Sequence, residues 1–112
     1  MTQTLESRVE EAIQIRDGAV QVKTDQVKQL AKEMMRHTEF GLARELWAVA
    51  YRQTDATIDR GGALRCLQQQ ALSTYKDTSR PVRERFSEAL RLLDQTESLH
   101  DHEDRRLAGE IQ

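Results

Sequence analysis

One cysteine and one proline are all that the 112 residues hold of those two types, and the aromatic residues together make up 4%. A single Cys66 excludes an intramolecular disulfide and a zinc site built on cysteines, and it makes a reducing cytoplasm the default location. No apolar run approaches the roughly 20 residues of a membrane span. The opening MTQTLESRVEEA has no apolar stretch behind a basic start, so it does not read as a secretory signal. Charge of one sign is missing as well. Residues 1–56 carry eight basic and nine acidic groups, residues 57–112 nine and ten, and the net charge is −2. Neither a histone-like tail nor a polybasic membrane anchor is present.

What is abundant is Ala, Leu, Glu, Gln, Lys and Arg, the good helix formers, while strand formers are scarce. At 38% hydrophobic and 32% charged, the chain is polar for a globular domain but not polar enough for disorder. The class is all-α, in a single domain with a thin core. Leu5, Val9, Ala12 and Ile13 form one stripe of a first helix, which Asp17-Gly18 should stop. Val27, Leu30, Ala31 and Met34 line a second helix, from near Thr24-Asp25 to about His37. Ala43, Leu46, Trp47 and Ala50 line a third, roughly Phe40 to Gln53. The Gly61-Gly62 pair should close a loop. A fourth helix then runs from Ala63 to Tyr75 with Leu64, Leu67, Ala71 and Leu72 apolar. Pro81 opens a fifth, to Gln95, with Val82, Phe86, Ala89, Leu90 and Leu93. Thr96 to Glu103 reads as a polar connection, and Leu107, Ala108 and Ile111 as the start of a sixth helix.

Those elements repeat. Ala43, Trp47 and Ala50 in one hairpin correspond to Val82, Phe86 and Ala89 in the next. A small residue lets two helices approach, and the aromatic should fill the wedge between hairpins. Helix–turn–helix units with a period in the mid-thirties are a repeat signature. The first hairpin, Thr24 to Thr57, resembles the tetratricopeptide consensus. Val27, Leu30, Ala31 and Met34 fall on its large, large, small, large positions, and Ala43, Trp47 and Ala50 on its small, aromatic, small positions. The second unit departs from it in a longer Lys76–Arg80 turn and in Gln68. Gln69-Gln70-Ala71-Leu72-Ser73-Thr74-Tyr75-Lys76-Asp77, with Pro81, Arg85, Ala89-Leu90 and Leu107-Ala108-Gly109, resembles the TRAF-binding helical repeat region. That region occurs in bacterial repeat proteins and in the apoptosis signal-regulating kinases. The resemblance implies a short α-solenoid of five to six helices. It also implies the following division: 1–18 a capping helix, 24–57 and 62–95 two hairpins, 100–112 the start of a third unit in a longer array.

Little in the chain suggests catalysis. His37 sits where a helix C-terminus favours a cation. The cluster His100-Asp101-His102-Glu103-Asp104 offers two imidazoles one residue apart and no third ligand, so a polar loop is the reading and no metal is expected. Cys66, beside Leu67, reads as a small buried hydrophobe. Gly61-Gly62 lacks the lysine and strand of a phosphate loop, and no cofactor is expected.

Surface charge says more. On the second helix Lys28, Lys32 and Met35 share a face, with Arg36 at its edge. In tetratricopeptide arrays that face lines a concave groove. Arg65 and Gln69 in the second unit and Arg105 in the third fall at equivalent places. These seven residues define a groove suited to the carboxylates of an acidic segment or C-terminus on a protein partner. The same residues also fit a solvated face balanced by Asp25, Glu33 and Asp104. Self-association through the N-terminal helix or the C-terminal half-repeat is a further expectation, since terminal repeats need covering. The functional expectation is a non-catalytic interaction scaffold or adaptor, in bacterial signalling or defence. The alternative is a small nucleic-acid-binding subunit of a ribonucleoprotein assembly, using the Lys28, Lys32, Arg36, Arg65 row. A pI of about 5.9 disfavours it, because such domains usually exceed a pI of roughly 9.

Overall fold

The computed structural model describes residues 4–111, with their side chains as far as residue 97. Five helices follow one another: α1 (Leu5–Arg16), α2 (Thr24–Arg36), α3 (Phe40–Gln53), α4 (Arg60–Lys76) and α5 (Val82–Ile111). There is no strand among the described residues. The fold is all-α, with antiparallel hairpins stacked as a short α-solenoid. Each helix lies against the next, α2 on α3, α3 on α4 and α4 on α5, while α1 lies across α2 and α3. None of the described helices is long and apolar enough to cross a membrane.

Thr4 caps α1 by accepting a hydrogen bond from the Ser7 amide at 3.1 Å. The helix buries Ala12 and Ile15, with Val9 packed at the edge of the core. This corrects the sequence-based stripe: Leu5 is exposed and Ile13 only half-buried, because α1 turns its Ala12/Ile15 side toward α2 and α3. It stops as expected. Gly18 has φ of 77°, its amide reaches Ile15 O at 3.1 Å, and the Ala19 amide reaches Gln14 O at 2.9 Å. This paired arrangement is a Schellman motif.

Val27, Leu30, Ala31 and Met34 of α2 are all buried. They face Ala43, Leu46, Trp47 and Ala50 of α3. The alanines permit close approach, and Trp47 spans the seam with its indole Nε1 donating to Met35 Sδ at 3.3 Å. α2 ends in the same motif as α1, Thr38 N bonding Met35 O and Glu39 N bonding Met34 O. Here Thr38 takes the left-handed position, at φ 59°.

α4 begins three residues earlier than its sequence pattern predicts, with Gly61 and Gly62 in its first turn. Asp59 supplies the reason, since its Oδ1 accepts from the Gly62 amide at 2.9 Å. A side chain at Gly62 would collide with that carboxylate. Leu67, Ala71 and Leu92 form a smaller second core, and Tyr51 packs against both clusters.

α5 departs most from expectation. Pro81 precedes the helix, and its carbonyl accepts the Arg85 amide at 3.0 Å. The backbone then stays helical to Ile111, so the predicted connection at Thr96–Glu103 does not break the chain. The region assigned to the start of a third unit thus carries the same helical backbone as far as Ile111. The segment 96–103 contains no glycine or proline, and its polarity does not stop a helix. The expectations placed on His100, His102, Arg105, Leu107, Ala108 and Ile111 lie outside the described side chains.

Candidate functional site

The residues of the predicted basic row are distributed over three places. Lys28 and Arg65, on α2 and α4, both act electrostatically on the buried Cys66. Burial pushes the Cys66 thiol up, and Lys28 is the strongest of the influences that lower it, ahead of the Thr54 hydroxyl and Arg65. Both cations thus lie within electrostatic reach of Cys66. Lys32 and Arg36 border a shallow depression of about 390 Å³ with Arg8, Gln29 and Glu33. Its floor is fixed from α1, where Arg8 donates to Glu33 at 2.8 Å and to Glu11 at 2.6 Å. Met35 is half-buried and packs on the core beside Trp47, so it offers little surface. Gln69 lies elsewhere, on the wall of a cleft between α4 and α5. Arg105 is outside the described side chains.

Several arginines are held in ion pairs. Arg16 pairs with Asp17, Arg44 with Glu45 and Glu88, Arg80 with Glu88, and Arg8 as described. Lys28, Lys32, Arg36 and Arg65 have no such carboxylate partner among the described residues.

The α4–α5 cleft is a surface the sequence reading did not anticipate. It encloses about 440 Å³ between Gln68, Gln69, Ala71, Leu72 and Tyr75 of α4 and Phe86, Ala89, Leu90 and Leu93 of α5. Phe86 is 54% exposed, Leu90 48% and Leu93 45%. The sequence places Phe86 in a wedge between hairpins. In the structure no described helix lies across this face, because α5 continues instead of turning back. One signal was available in the sequence. α5 carries Ala89, Leu92 and Thr96 inward and also Val82, Phe86, Leu90 and Leu93, an apolar arc wider than one neighbouring helix can cover.

Beside the cleft the end of α4 is tied to the start of α3. Asp77, buried at the end of α4, accepts from the Ser79 amide at 3.1 Å and the Ser79 hydroxyl at 2.6 Å. A Cβ on Gly41 would lie 3.1 Å from its Oδ2, so the carboxylate sits against the first turn of α3, where a negative charge is favoured. Lys76 holds its ammonium 5.8 Å from the centre of the Phe40 ring, a cation–π contact.

Compared with family models, with curated proteins and with solved structures, the chain matches none.

Proposed function

We propose that the chain is a non-catalytic protein-interaction scaffold of the tetratricopeptide type that binds an acidic partner segment across α2 and α4. The observation that carries this reading is a set of four cations on α2 and α4 that no carboxylate among the described residues engages. Arg8, Arg44 and Arg80 are engaged by carboxylates of the fold, whereas Lys28, Lys32 and Arg36 of α2 and Arg65 of α4, like Lys23, Arg52, Arg83, Arg85 and Arg91, have no carboxylate partner among the described residues. A partner's carboxylates would supply what is missing, and charge-assisted bonds to arginine add geometric selectivity. The packed helices hold Lys32 beside Arg36, and Lys28 and Arg65 near Cys66, without reorganising, which lowers the entropic cost of binding.

The test is capture of partners from the native lysate, with and without nuclease, by the wild-type chain and by Lys28→Glu with Arg65→Glu. A protein captured stoichiometrically by the wild type, resistant to nuclease and lost in the double variant at unchanged helicity, supports the reading. Retention by the double variant overturns the basic-row surface. Partners that vanish with nuclease, together with a steep salt dependence of oligonucleotide binding, would favour the nucleic-acid alternative.

A further inference from the structure

The α4–α5 cleft is apolar, open and bordered by large side chains that stand out from the surface. Val82, Tyr75, Phe86, Leu90 and Leu93 are all exposed. The two ends of this strip on α5 differ in charge. Arg83 and Glu97 are both exposed, and neither has an ion-pair partner among the described residues. Arg83, Leu90 and Glu97 follow one another at seven-residue spacing, which is two helical turns, so they lie nearly in line along α5. A line that is basic at one end, apolar in the middle and acidic at the other is complementary to itself when reversed.

We propose that the cleft is covered by a second copy of this chain, with the two α5 helices antiparallel about a two-fold axis passing near Leu90. A two-fold axis makes contacts reciprocal. Arg83 of each copy then meets Glu97 of the other, Leu90 meets its own counterpart, and Phe86 comes beside the opposite Leu93. Two identical charge pairs close the ends of an apolar centre, the usual arrangement of a stable interface with a polar rim. The opposite, parallel arrangement would set Arg83 on Arg83 and Glu97 on Glu97, so the charges also select the orientation. This surface is separate from the basic row, and the inference stands or falls independently of it.

Sedimentation equilibrium of the full chain over a wide concentration range tests the inference. The wild type should approach twice its 12.9 kDa mass. Arg83→Glu alone and Glu97→Arg alone each create two like-charge contacts and should weaken association by roughly tenfold or more. The two substitutions combined restore opposite charges and should recover most of it. Leu90→Glu places two carboxylates at the axis and should leave a monomer. All three positions are surface sites, and unchanged helical circular dichroism and melting would exclude misfolding. A monomer at every concentration overturns the proposal. So does a dimer indifferent to the charge reversals, or one that the combined reversal fails to restore.

Discussion

Arg44 of α3 reaches Glu88 of α5 at 3.3 Å across 44 residues of chain, joining two helices that are not neighbours in the stack. Arg80, in the turn before α5, bonds the same carboxylate. Both side chains of the Arg44–Glu88 pair are about one-fifth exposed, at 19% and 22%. Water therefore screens them less than a surface pair. Glu88→Gln keeps the shape and removes the charge from two guanidinium groups at once. The expected loss is about 1–2 kcal/mol, at the level of hydrogen bonds to charged groups. It should be measured by urea unfolding. A loss below about 0.3 kcal/mol would place the pair among ordinary surface contacts.

Thr38 is a β-branched residue in the left-handed region, at φ 59°, where its Cβ crowds the following carbonyl. Gly18 performs the same task at the end of α1 without that strain. Thr38→Gly should therefore stabilise the chain by about 1 kcal/mol, an upward shift in Tm of roughly 4 °C for a domain of this size. The Thr38 side chain is exposed and its hydroxyl bonds only the His37 carbonyl, so little is lost. Thermal melts of the two proteins decide the matter, and a lower Tm for the glycine variant would show that the strain is compensated.

Cys66 is fully buried, and burial raises its thiol pKa. In the folded chain it should resist thiol reagents at pH 8, and it should react fully in denaturant. The folded chain holds this proton more tightly than the unfolded chain does. The thiol's contribution to stability is thus intact below the ordinary thiol pKa and declines as pH rises through it. Reaction at the rate of a free cysteine under native conditions would mean that the α3–α4 contact opens readily.

Periodicity located α2 and α3 nearly to the residue, because Val27, Leu30, Ala31, Met34, Ala43, Leu46, Trp47 and Ala50, the residues of the two expected stripes, are all buried. It failed at Gly61-Gly62, where glycine serves not as a loop residue but to make room for the Asp59 cap. At Thr96–Glu103 polarity was read as a break, although nothing there prevents helical hydrogen bonding. Phe86, Leu90 and Leu93 illustrate a different limit. Spacing shows that they share a face of α5, yet it does not show whether anything covers that face. The basic row was legible as a set of residues but not as one surface. Met35 is drawn toward Trp47, and Gln69 toward the α4–α5 cleft.

The two cores are unequal. α2 and α3 close over a broad cluster that includes Trp47, Leu46, Leu30 and Met34, whereas α5 rests on Leu67, Ala71 and Leu92. In a stack where each element is held mainly by its neighbour, such a gradient sets the order of opening. Amide hydrogens of α5 should exchange before those of the α2–α3 hairpin. The face of α5 that awaits a covering element thus belongs to the helix that rests on the smaller core, so whatever binds there would also determine how long that helix stays folded.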